Sequence, residues 1–123
     1  MKTVAALLIL AVTVPARAQT SAPVPAVPAG PNTYGAGHKL CSDWVAAETK
    51  PDQSDYYANR FWVAGFMSAY NIYVSPPGFD VGKGTTPTEM KTFMHTRCAT
   101  RPTDTIAMAA TAFIANLKAR QGR

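Results

Sequence analysis

Residues 54–74 read SDYYANRFWVAGFMSAYNIYV, and this stretch decides the fold. Apolar side chains at 62, 66, 70 and 73 recur at helical intervals, and Phe61, Gly65 and Ala69 form a second stripe beside them, which predicts a long amphipathic helix with a broad buried face. Tyr56 and Tyr57 add to an aromatic density that leaves two uses for the helix. It is either the central element of the core or one face of it is left for a partner. Gly65 and Ala69, next to Ser68, remove bulk and would let another helix approach closely, at a cost of about 1 kcal/mol for the glycine. Phe61, Trp62, Gly65, Phe66, Ala69 and Tyr70 are therefore the candidate core or partner-binding residues of this segment.

Downstream, Ser75-Pro76-Pro77-Gly78 stops the helix, and the glycine-rich chain to Thr85 has no apolar period and reads as a loop. Thr86-Pro87-Thr88-Glu89 then predicts a helix start, with Thr86 as cap, Pro87 in the first turn and Glu89 completing a capping box. Met90, Phe93, Met94 and Arg97 follow at helical spacing and lead to Cys98. Thr100-Arg101-Pro102 breaks the chain again. A last helix is expected from about Thr103 to Arg120, with Ile106, Ala109, Ala110, Phe113, Ile114 and Leu117 as its core stripe and Lys118 and Arg120 placed to suit the helix dipole.

Upstream, SDWVAAET predicts a short helix capped by Ser42 or Asp43 and ended before Pro51, with Trp44 as a core anchor. No alternating strand pattern competes. The expected fold is all-α, a small bundle of about four helices spanning residues 38–120, with a tail at 121–123.

The first eighteen residues carry Lys2, an apolar run from Val4 to Val14 and Ala16-Arg17-Ala18, the pattern of a signal peptide cut after Ala18. The apolar run is short against the roughly 20 residues of a spanning helix. Export to the periplasm or the medium is thus expected, without membrane insertion after cleavage. Residues 19–37 hold Pro23, Pro25, Pro28 and Pro31 among small residues and carry no charge, which predicts a flexible Pro/Ala/Gly-rich linker. Past Ala18 ten basic side chains face seven acidic ones, and they are scattered, which argues against a nucleic-acid surface. Two cysteines in an exported chain read as a disulfide. A Cys41–Cys98 bond closes a loop of about 58 residues, for which chain entropy gives roughly 4 kcal/mol.

Catalytic groups are sparse. His38 and His95 have no second histidine at metal-ligand spacing, and in His95-x-x-Cys98 the cysteine is committed to the disulfide, so no metal site is expected. Asp52 with Asp55, and Asp43 with Glu48, sit where helix starts favour acids anyway. Gly78, Gly82 and Gly84 lack the phosphate-loop spacing, and no Gly-x-Ser-x-Gly elbow occurs. Neither an enzyme nor a cofactor is expected.

The order Cys41-x-Asp43-Trp44-x-Ala46, then Gly65-Phe66-x-x-Ala69-x-Asn71, then Cys98 and a final helix, resembles the HdeA/HdeB family of periplasmic acid-stress chaperones over most of residues 41–120. The resemblance implies a disulfide-bonded helical domain, dimeric at neutral pH, that loosens in acid and binds unfolding client proteins. By position it places Cys41 and Cys98 in the bridge, and Trp44, Gly65, Phe66 and Ala69 in the core or dimer seam. This chain departs from that family in a longer segment between Cys41 and Gly65, a Pro-rich tether and a basic balance. A weaker resemblance, in a cysteine pair joined by a Gly-centred aromatic helix, is to the Tai/Rap-type immunity proteins, which neutralise secreted toxins. The expectation is a protein-binding domain: a chaperone first, a toxin-neutralising protein as the alternative, and an interaction protein without catalytic activity third.

Overall fold

The computed structural model describes residues 32–123, in which four α-helices follow a short 3-10 turn at Gly35–His38: α1, Cys41–Ala47; α2, Ser54–Tyr73; α3, Pro87–Thr100; α4, Ile106–Arg120. The expected signal peptide and residues 19–31 of the expected linker lie outside the described residues. Among the described residues no strand forms, only an isolated bridge between Leu40 and Thr105.

Local chemistry sets each helix start. Thr86 Oγ1 accepts the Glu89 N–H at 3.1 Å, as the Thr-Pro-Thr-Glu motif predicts. Glu89 does not complete the box; its carboxylate pairs instead with Arg120 across to α4. In α4 the cap is Thr105, whose hydroxyl accepts the Met108 N–H at 3.2 Å, so the helix begins three residues later than Thr103. The intervening residues have other work. Carbonyls of Pro102 and Asp104 accept the Ser42 and Cys41 N–H groups at 3.0 and 2.8 Å, satisfying amides that the start of α1 leaves open. Helix α1 likewise starts before Ser42, and Asp43 acts from its third position, its carboxylate accepting the Leu40 N–H at 3.1 Å.

The core is built mainly on α4 rather than α2. Ile106, Ala109, Ala110, Phe113, Ile114 and Leu117 are all buried, the stripe expected from their spacing. Trp44 of α1, Met90, Met94 and Cys98 of α3, and Val63 of α2 close around them. The Cys41–Cys98 disulfide, fully buried, joins the start of α1 to the end of α3. Loop residue Val81 is also fully buried, although no apolar period marks it. Its N–H donates to Asn71 Oδ1 at 2.9 Å and Asn71 Nδ2 donates to Asp80 at 2.7 Å, so the end of α2 holds this loop in register.

Residues 34–37, placed by the sequence in the linker, pack onto the helices a few residues before the expected His38. Trp62 explains the difference. Its indole N–H donates to the Tyr34 carbonyl at 2.8 Å, and its ring lies where a Cβ on Gly37 would stand, deep inside van der Waals contact. Only glycine leaves that space, so Ala36 and Gly37 are buried against α2 and α4. Gly37→Ala is expected to push the indole off and cost about 1–3 kcal/mol. Hydrogen exchange checks this: amides of residues 34–39 should exchange faster while α3 and α4 keep their protection. Unchanged exchange there would mean that Trp62 does not hold the turn.

Candidate functional site

Helix α2 divides its side chains around Val63. Tyr56, Asn59 and Val63 are buried, and Phe66, Met67 and Tyr70 are partly buried against the core. Trp62 falls at the edge of this stripe and stacks on Phe66 with ring centroids 5.3 Å apart. Tyr73, expected in the same stripe, is 82% exposed. A helix apolar on nearly every side hides the centre of its buried face, because the 3.6-residue period then has little contrast.

The opposite side carries Tyr57, Phe61, Gly65, Ser68, Ala69 and Ile72, all exposed. Phe61 is 72% and Ile72 70% accessible, and Val74 just past the helix is exposed too. No charged residue occurs from Phe61 to Tyr73. The large side chains of this face together expose on the order of 600 Å² of apolar-residue surface, at the upper end for a monomer and short of the ~800 Å² per partner of a standard interface. The close helix approach expected at Gly65 is not made within the chain: a Cβ there would meet nothing within 4 Å. Of the candidate residues, Trp44 belongs to the core, Trp62, Phe66 and Tyr70 flank it, and Phe61, Gly65 and Ala69 face solvent.

Beside this face runs a groove of about 360 Å³ between α2 and the start of α3. Apolar side chains line most of it, Tyr57, Phe61, Ala64 and Met67 from α2 with Pro87 and Met90 from α3. Arg60 is its one charged residue. Sequence reasoning passed over Arg60, since one arginine among aromatics has no local signature; only the packing of α3 shows what it borders.

A second, polar cleft of about 260 Å³ lies where Lys39, Asp43, Lys50 and Asp55 surround Asn59. Its charges are balanced internally: Asp55 bridges Lys39 at 2.9 Å and Lys50 at 3.4 Å. Hydrogen bonding and attraction from Lys39, then from Lys50, hold the Asp55 carboxyl below its ordinary value. A carboxyl lowered on folding stabilises above its unfolded pKa, near 3.9, and that stabilisation disappears as the pH falls through the folded value. Asp55→Asn should therefore lower the unfolding midpoint by a constant, small amount above about pH 5, and the gap should narrow as the pH falls below about 4. Denaturant titrations at pH 7, 5 and 3 check it, and a gap as large at pH 3 as at pH 7 would assign the effect to something other than charge.

Helices α1 and α3 are tied by a further link. Glu48 accepts the buried Trp44 indole N–H at 3.1 Å and pairs with His95 Nδ1 at 2.6 Å. Arg97 bridges Asp104 at 2.9 Å where α3 meets the start of α4. Among the described residues no three or more histidine, cysteine or acidic side chains gather as metal ligands. No described helix is long and apolar enough to cross a membrane.

Fold and surface together define a small all-helical domain closed by one disulfide, with an apolar outer helix face. Comparison of the chain with protein-family models, with curated proteins and with solved structures found no match to any of them.

Proposed function

We propose that this chain is an exported protein-binding domain that takes apolar segments of partner or unfolding proteins on the outer face of α2, in the manner of an acid-stress chaperone. The observation that carries the reading is the uncharged run from Phe61 to Tyr73, whose large outer side chains stay in solvent after the domain has built its core. Burying such a face against another apolar surface is favourable by about 25 cal/mol per Å² before the costs of association.

Acid gives the domain a way to change state. The Asp55 ion pairs with Lys39 and Lys50, which hold its carboxyl below the ordinary value, are lost when it is protonated. Protonating all seven acidic side chains and both histidines raises the charge past Ala18 from +3 to +12. Self-repulsion then favours expansion, while the disulfide keeps α1 on α3. Apolar surface would become more available as the pH falls.

The test is light scattering from an acid-unfolded client at about pH 2 to 3 and at pH 7, with the oxidised chain lacking its first eighteen residues. Protection is expected at acid pH. Phe61→Lys and Ile72→Lys keep a charge in acid and alter no buried contact, so each should cut protection several-fold with unchanged helicity. Absence of protection at acid pH would remove the chaperone reading, and full protection by both lysine variants would remove the α2 face. Light scattering of the chain alone, across the same pH range, shows whether a second copy covers the face at pH 7.

A further inference from the structure

The groove beside α2 is an apolar slot with one cation, Arg60, at its edge. Arg60 has no carboxylate partner and no side-chain hydrogen bond among the described residues, whereas Arg97 and Arg120 are each paired with an acid; Arg101 and Arg123 are also without an acid partner but do not line the groove. Its guanidinium lies 5.3 Å from the centroid of the Tyr56 ring, and Lys91 Nζ approaches the same ring at 5.8 Å, so a second cation adds to the positive potential at this edge. Arg60 Nε and Thr85 Oγ1 are two of the four buried side-chain polar atoms without a partner among the described residues, and both residues line this groove. An unmatched cation and an unmatched hydroxyl bordering an apolar slot describe the complement of an acid-headed amphiphile.

We infer that this groove binds a medium-chain fatty carboxylate, the alkyl chain lying along Tyr57, Ala64, Met67 and Met90 and the carboxylate meeting the Arg60 guanidinium. The guanidinium fork matches a planar carboxylate, and its charge is free to be matched. A volume of about 360 Å³ stands at the small end for ligand sites and suits one chain rather than the two of a phospholipid. A peptide fits less well. Its backbone amides would need several acceptors, and the lining offers two threonine hydroxyls, Thr85 and Thr86. The neighbouring protein-binding face shares Tyr57 and Phe61 with the groove, but the inference stands on Arg60 and Thr85, which that face does not use.

Calorimetric titration of the oxidised chain at pH 7 with submicellar decanoate, octanoate, decanol and decyl phosphate tests it. Decanoate should bind saturably at one site, with octanoate weaker by about ten-fold or more, because each methylene is worth a factor of roughly three to four. Arg60→Met should weaken decanoate by about 10- to 100-fold, to the level of decanol, and leave decanol unchanged. Ala64→Trp should block all of them with the thermal midpoint retained. Ile72→Lys, outside the groove, should leave decanoate binding intact even where it abolishes client protection, which separates this inference from the chaperone reading. No saturable decanoate binding, decanoate binding indifferent to Arg60→Met, or decyl phosphate binding more tightly than decanoate would each overturn it.

Discussion

Trp44→Ala is expected to lower the stability of the oxidised domain by about 3–5 kcal/mol, a large share of the 5–15 kcal/mol that holds a domain of this kind together. The ring is fully buried at the centre of the core. Truncation leaves a cavity that α1, α3 and α4 cannot close without breaking their own contacts, because α1 is covalently tied to α3. It also removes the donor to Glu48, the carboxylate that links α1 to His95. Trp44→Phe separates the two effects. It keeps most of the ring volume and should cost nearer 1–2 kcal/mol, from the lost hydrogen bond and the small residual void. Urea midpoints of the three proteins decide the matter, and equal losses for the two variants would place the effect in the hydrogen bond rather than in the packing.

Removing the disulfide is the other large perturbation. Replacing Cys41 and Cys98 together by alanine should cost roughly 4 kcal/mol through the entropy returned to a loop of about 58 residues, with a further loss from the buried sulfur contacts. For a core of this size that loss should leave the domain substantially unfolded at 37 °C. Circular dichroism melts of the oxidised chain, the chain in reductant and the double variant check it. The chain in reductant should melt far below the oxidised one, and the double variant lower still by the lost sulfur contacts. Melting points within a few degrees of each other would show that the helices need no covalent tie.

The two C-terminal helices were the most legible elements. Thr86-Pro87 announces α3 because a hydroxyl cap and an N-terminal proline act within one turn of the chain. The α4 stripe is legible because its buried positions alternate with ones that, Met108 apart, are polar or small, so the period has contrast. Helix α2 lacked that contrast. Its existence could be read, but whether Phe61 or Val63 pointed inward depended on where α4 lay, and Phe61 turned out to face solvent while Val63 is buried.

Three features depended on contacts between distant residues. The fit of Trp62 over Gly37 joins positions 25 apart, and glycine in a tether-like stretch gives no warning that a ring will rest on it. Val81 is held in the core by the bond its N–H donates to Asn71 Oδ1, in a loop whose composition is only turn-forming. Arg60 became the charged edge of a groove when the start of α3 was laid beside α2.

What the amino-acid order determined by itself is the helical class, the number of helices, their breaks and the cysteine pair, since propensity, capping and apolar period operate over a few residues. Which side of α2 is left bare, how residues 34–37 pack against Trp62 and which charge remains unmatched were decided by tertiary packing. Burial is a property of what lies opposite a side chain, and that neighbour comes from another part of the chain.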